Sequence, residues 1–155
     1  MSMKYTLSNG IELKNPDAAG YLVEMDWCGM IVMTHFALDE GTDNCAVQSI
    51  CLFERVYEMR EYYIMMAQHA FKVMMINMDS YEPIAFWIRS EPESVWKTDV
   101  FRDMLDGLEV RGISFGNNGE IHFHFYHFLM EERYRVTGTL EREFVCIELE
   151  EDEEY

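Results

Sequence analysis

The sequence is poor in the residues and segments that mark several classes of protein. Its 155 residues include three prolines and nine glycines, with no internal repeat and no Gly/Ser-rich or Pro-rich linker. We therefore expect a single domain over residues 1–155, which is an ordinary domain size. No apolar run approaches the roughly 20 residues that cross a bilayer. The first ten residues, MSMKYTLSNG, lack the basic and apolar blocks of a signal peptide. These absences predict a cytoplasmic protein.

Cysteine is also scarce, and its spacing is irregular. No C-x-x-C pair is present, which argues against the common zinc and redox motifs. The four cysteines follow no regular pattern and stand in apolar surroundings, so we expect reduced thiols in the core: Cys28, Cys45, Cys51 and Cys146. A glycine-rich phosphate loop and a dinucleotide-binding fingerprint are absent as well.

Basic residues are few compared with acidic ones. Twelve lysines and arginines stand against 29 aspartates and glutamates, which gives a formal net charge of −17. A field of this sign repels phosphate backbones and anionic membranes and attracts cationic surfaces. We therefore expect a basic protein as partner, with no direct binding to nucleic acid or membranes. The alternative is that the acidity serves solubility alone.

What the chain does contain is enough apolar sequence for a folded core, with 49% hydrophobic and 14% aromatic residues. A hairpin is predicted around Ser8-Asn9-Gly10, where Asn-Gly is typical of a type I′ turn. Residues 30–38, MIVMTHFAL, predict a strand covered on both faces. Further strands are predicted at FKVMMINM (71–78) and IAFWIRS (84–90), and in a C-terminal meander made of EVRGISF, EIHFHFYHF, RYRVTG and REFVCIELE.

Two helices are predicted between these strands. Apolar residues at helical spacing from about Asn44 to Ala70 indicate a long, mostly buried central helix. A second, shorter helix is predicted from the capping-box pair Ser90 and Glu93 to about Leu108. Runs of strands with two separate helices indicate an α+β fold, in which an antiparallel sheet packs against the long central helix and the shorter one.

The stretch EIHFHFYHF contains three of the five histidines. Alternation along a strand places His122 and His124 on one face and His127 on the other. A two-residue turn before this strand would set Arg111, Ile113 and Phe115 beside the pair, and a three-residue turn would set Gly112 and Ser114 there. We expect histidines packed among aromatic side chains.

A metal site on His122 and His124 is the alternative. Zinc or iron would need a third ligand, for which Cys146 or Glu148 on a neighbouring strand is a candidate. The protein would then be a metal-dependent enzyme or a metal-binding protein. Apart from this alternative, we expect no catalytic site.

Two short motifs overlap this region. The spacing of Gly116, His122, His124, Glu131 and Gly138 partly resembles the first motif of the cupin family, over 23 residues. Six residues separate His124 from Glu131 where cupins have three or four, and a long helix does not fit a jelly roll. Residues 112–116 match G-x-S-x-G, but the hydrolase elbow needs a helix after the serine, and here a strand is predicted.

Acidic residues cluster in three places. They lie in a loop, on the exposed side of the long helix and in an acidic C-terminal tail at about 150–155, and we expect them to bind the partner: Asp39, Glu40, Asp43, Glu54, Glu58, Glu61, Glu150, Glu151 and Asp152. The predicted function is a small protein-binding module that inhibits or neutralises a basic protein, for example a toxin or a nucleic-acid-binding protein. In size, acidity and fold class the chain resembles immunity proteins of bacterial toxins and nucleic-acid-mimicking inhibitors.

Overall fold

The computed structural model describes residues 5–77, 107–128, 131–142 and 144–149. In chain order, the elements are β1 (Tyr5–Thr6), β2 (Glu12–Leu13), β3 (Tyr21–Trp27), β4 (Met30–Phe36), α1 (Val47–Glu58), α2 (Arg60–Asn77), β5 (Leu108–Phe115), β6 (Ile121–His127), β7 (Glu132–Gly138) and β8 (Val145–Leu149). Strands and helices in separate runs confirm the α+β class.

Six strands form one sheet in the order β3-β4-β5-β6-β7-β8, while β1 and β2 form a separate two-stranded sheet. Neighbouring strands are antiparallel except for β4 and β5, which run parallel. The sheet is therefore mostly antiparallel, and the expected antiparallel pairing fails at this one pair. Parallel strands need a long crossover, and α1 and α2 lie within the segment that connects β4 to β5.

The hydrophobic core lies between the helices and one face of the six-stranded sheet. Along β4, Val32, Thr34 and Phe36 are fully buried, whereas Ile31 and Met33 are exposed. The prediction that residues 30–38 are covered on both faces is thus wrong. We call the face that carries Ile31 and Met33 the open face of the sheet.

Aromatic side chains join α1 to the sheet. The ring of Phe53 lies 5.8 Å from Trp27, 5.2 Å from Phe36 and 5.4 Å from Phe115, measured between ring centroids. The buried indole N–H of Trp27 donates to the hydroxyl of Thr34 at 2.9 Å, so its polar group has a partner. Each such aromatic pair adds about 1 kcal/mol to the effect of burial.

The long central helix is not observed, because the helical segment is divided at Met59. This residue has φ −118° and ψ 39°, outside the helical region, and it separates α1 from α2. The guanidinium of Arg60 donates to the carbonyl of Tyr57 at 3.0 Å, which satisfies an acceptor at the end of α1. Since α2 continues to Asn77, the predicted strand at 71–78 is also wrong. Its unbroken apolar pattern fits a buried strand and a buried helix equally well.

Two smaller expectations also need correction. Gly10 has positive φ but Asn9 does not, so the first hairpin lacks the type I′ turn, which needs positive φ at both central residues. The thiols are free, but Cys28 and Cys51 are exposed instead of buried.

The predicted strand at 84–90 and nearly all of the predicted second helix lie outside the described residues. Leu108, the expected end of that helix, instead begins β5. Within the described part of the chain, no helix is both long and apolar enough to cross a membrane.

A carboxylate from the preceding loop holds the first turn of α1. The two oxygens of Asp39 accept the backbone N–H groups of Val47 and Gln48 at 2.9 and 3.1 Å. Two of the helix's unpaired donors are thereby satisfied, and a negative charge lies at the positive end of the helix dipole.

We predict that Asp39→Ala lowers the free energy of unfolding by about 1–2 kcal/mol, as the loss of a helix cap does. The neighbouring Glu40 is exposed, so Glu40→Ala is the matched control and should change stability by less than about 0.5 kcal/mol. Urea denaturation measures both. Equal effects of the two substitutions would contradict the capping role.

Candidate functional site

Residues on the open face of the six-stranded sheet, about half of them polar, form two rows across the strands. The strand register places residues side by side across neighbouring strands. From β3 to β8, the first row is Leu22, His35, Ser114, His122, Thr137 and Val145, and the second row is Glu24, Met33, Gly112, His124, Arg135 and Ile147.

The register confirms that His122 and His124 share one face. His127 lies on the core face, fully buried, with its ring 5.9 Å from that of Phe71. Of the two alternatives for the partner strand, the structure has the second, because His124 pairs with Gly112 and His122 with Ser114. Five residues, 116–120, connect β5 to β6, and this odd number sets the observed parity.

Each of the two histidines has hydrogen-bonding partners on this face. Nε2 of His124 lies 3.0 Å from the hydroxyl oxygen of Ser114. Nδ1 of His122 lies 2.9 Å from the hydroxyl oxygen of Thr137, and its Nε2 lies 3.2 Å from a carboxylate oxygen of Glu120. Both nitrogens of His122 are therefore already engaged.

Burial, with smaller contributions from His122, Arg135 and His35, lowers the pKa of His124 to about 4 from the ordinary 6.5. Burial also lowers the pKa of His122, while the carboxylate of Glu120 opposes this shift. A charged form is costly in an environment with little water. His124 is consequently neutral at physiological pH.

The Ser114 and His124 pair has the hydrogen bond that a nucleophile and its base require. However, Ser114 lies within β5, which is paired on both sides by β4 and β6. The backbone amides of such a strand are hydrogen-bonded within the sheet. A nucleophile elbow instead needs a sharp turn and free backbone amides that can bind an oxyanion. The G-x-S-x-G match at 112–116 thus has no elbow geometry.

Among the described side chains, none is placed to serve as the third ligand of a metal ion on His122 and His124. Cys146, one of the two candidates, is buried in the core and pairs with Val136, so it lies on the face opposite His122 and His124. Across the described ranges, no three His, Cys, Asp or Glu side chains are grouped closely enough to hold a metal ion. Zinc or iron on His122 and His124 stays a prediction.

The predicted partner-binding carboxylates separate into structural and exposed groups. Asp39 caps α1, and Glu54 accepts the backbone N–H of Ser8 at 3.0 Å, which ties the first hairpin to α1. The other four described members are exposed: Glu40, Asp43, Glu58 and Glu61. Glu150, Glu151 and Asp152 lie outside the described residues.

A surface that the sequence pattern did not reveal lies on the outer side of α2. Its members recur at the spacing of one helix face, and we call them the outward stripe: Tyr62, Met65, His69 and Val73. Tyr62, Met65 and Val73 are 45%, 56% and 42% exposed. The opposite stripe is buried and consists of Ile64, Ala67, Phe71 and Met75. Helical periodicity missed the outward stripe because α2 is apolar on nearly all sides.

Comparison of the chain with protein-family models, with curated proteins and with solved structures finds no match. The function is therefore inferred from the residues and their geometry.

We predict that His124 reduces stability in mild acid. The unfolded chain takes up a proton on this side chain below about pH 6.5, whereas the folded protein does so only near the folded pKa of about 4. Because the unfolded state binds more protons in this window, the free energy of unfolding falls as the pH falls, by about 2 kcal/mol at pH 5 from this residue. Urea denaturation near neutral pH and near pH 5 measures the loss of unfolding free energy between the two. This loss should be smaller by about 2 kcal/mol in His124→Gln than in the wild type. Equal acid sensitivity of the two proteins would contradict the assignment.

Proposed function

We propose that the protein is a protein-binding module that inhibits or neutralises a basic partner protein. The outward stripe of α2 is the observation that carries this proposal. Large apolar side chains at three of its four positions are exposed to water instead of facing the core. A bound partner that covers them would remove their apolar area from water, which favours binding by about 25 cal/mol per Å².

The side chains of the outward stripe suit a binding surface. Tyr62 combines a large ring with a hydroxyl, and tyrosine is among the residues that contribute most to interface affinity. Met65 and the neighbouring Met59, which is 52% exposed, are flexible and adapt to an opposing surface. This combination favours a protein surface over a small ligand, because the exposed apolar side chains are spread along the helix from Tyr62 to Val73.

The charge beside the stripe selects the kind of partner. Glu58 and Glu61 are exposed at the junction of α1 and α2, within one helical turn of Tyr62. Two arginines lie near this junction: Arg55 in the last turn of α1, and Arg60, whose guanidinium lies 4.6 Å from the ring centroid of Tyr57 and donates to its carbonyl. With the net charge of −17, these carboxylates speed the approach of a cationic protein and fix its orientation.

We predict that Tyr62→Ala combined with Met65→Ala raises the dissociation constant for the basic partner by about 30-fold or more, the effect of removing an interface hot spot. Ile31→Ala is the matched control, since Ile31 is 68% exposed on the open face of the sheet. Immobilised wild type and both variants are incubated with lysate of the source cell, and the bound proteins are identified and titrated.

The proposal requires one basic protein in near-equal amount on the wild-type and Ile31→Ala columns and its loss from the double variant. The activity of that protein should then fall when one equivalent of the wild type is added. Recovery of no basic protein, or equal recovery by the double variant, would refute the role of the outward stripe.

We also predict that Glu58→Gln with Glu61→Gln slows association by about tenfold at low salt and weakens its dependence on ionic strength, because steering acts through charge. Glu24→Gln with Asp26→Asn makes the same charge change on exposed residues of β3 and is the control. Stopped-flow or surface-based kinetics at two salt concentrations measure the rates. If both pairs slow association equally, net charge alone attracts the partner and the two helix carboxylates have no special part.

A further inference from the structure

A groove runs between α1 and two turns at one end of the sheet. Its volume is about 550 Å³, within the range of roughly 300–1,000 Å³ that small-molecule sites occupy. Its walls come from α1, from the turn between β5 and β6, and from the turn between β7 and β8. Leu52 and Leu140 contribute apolar surface, while Gln48 and Asn118 contribute amide groups.

Two arginines line this groove, Arg55 of α1 and Arg142 of the β7–β8 turn. Both side chains are exposed. Over the described ranges, neither guanidinium has an ion pair or a side-chain hydrogen bond, in contrast to Arg111, which donates to Glu109 at 2.9 Å. The chain has 29 acidic and 12 basic residues, so carboxylates that could pair with arginine are in excess. Two exposed guanidiniums in one groove that have no carboxylate partner among the described residues therefore indicate a site for an anion.

The other polar groups in the groove leave donors available. The side-chain oxygen of Asn118 accepts the N–H of Glu120 at 3.1 Å, so its NH₂ group is left to donate. The hydroxyl oxygen of Thr139 accepts the N–H groups of Glu141 and Arg142. Side chains with donor groups thus line the groove from α1 and from both turns, and such a lining suits an oxyanion, which accepts several hydrogen bonds at once.

Two carboxylates also line the groove, and they set a limit on the charge of the ligand. Glu120 is engaged with His122 at 3.2 Å. Glu141 is exposed, and its charge opposes that of an incoming anion at close range. A compact anion with one or two negative charges fits this balance better than a polyanion does.

We propose that this groove binds a small molecule with a carboxylate or phosphate group, held by the guanidiniums of Arg55 and Arg142 and by the amides of Gln48 and Asn118. Arginine presents a planar set of donors that matches both kinds of oxyanion. The groove contains none of the residues of the outward stripe, although Tyr62 lines a neighbouring pocket of about 230 Å³ together with Leu140 and Arg142.

The test is calorimetric and thermal titration of the full chain with inorganic phosphate and, separately, with succinate, at an ionic strength kept constant with chloride. We expect saturable binding of one probe in the millimolar range, and the tighter probe tells whether phosphate or carboxylate is the recognised group. Arg55→Gln and Arg142→Gln should each weaken that binding by at least about tenfold. Glu141→Gln should strengthen it.

The control is Arg111→Gln, which removes the same charge outside the groove and should leave the affinity unchanged. Thermal denaturation without probe confirms that each variant is folded. The proposal is overturned if neither probe binds or raises the melting temperature at concentrations up to about 20 mM, where a millimolar ligand stabilises measurably. It is also overturned if binding persists unchanged in both arginine variants.

Discussion

The contact of Phe53 with the sheet is the interaction on which the rest of the described structure depends. One side chain of α1 touches the rings of Trp27, Phe36 and Phe115, which belong to three adjacent strands. These strands include the parallel pair β4 and β5, so the same contact closes the crossover that α1 begins. It also determines which face of the sheet is buried against α1, and therefore which face is the open face.

The candidate surfaces follow from that choice of face. With the aromatic residues of β3, β4 and β5 turned inward, the alternate positions of the same strands bring His35, Ser114, His122 and His124 to the open face. Docking of α1 leaves a groove along its side, and the helical path is interrupted at Met59 before α2 begins at Arg60. Burial of one stripe of α2 then exposes the opposite one, and both stripes are apolar.

The sequence predicted the strands β5 to β8 better than the helices. Alternating residues along β6 to β8 locate these strands, and turn residues such as Asn117 to Gly119 separate them. In β5 a bulge between Val110 and Gly112 interrupts the alternation. No glycine or proline stands at Met59 to predict the division between α1 and α2. The residues after Phe71 are mostly apolar and show neither helical nor strand periodicity. In both places tertiary contacts, which a local pattern does not contain, determine the conformation.

The candidate sites were only partly predictable for the same reason. Strand alternation placed His122 with His124 correctly, but Ser114 as their neighbour depended on the number of residues in the turn. Acidic residues look alike in a sequence, and yet Asp39 and Glu54 hold backbone N–H groups while Glu58 and Glu61 face solvent. Arg55 and Arg142 both line the groove but are far apart in the sequence, and no local pattern predicts that they lie in one site.

The most direct test of the central claim is photo-crosslinking from the outward stripe in the source cell. A photoreactive phenylalanine analogue is placed at Met65 in one protein and at Ile31, on the open face of the sheet, in another. We expect Met65 to yield one crosslinked basic protein and Ile31 to yield none. No crosslinked protein from Met65, or the same set of proteins from both positions, would contradict the claim.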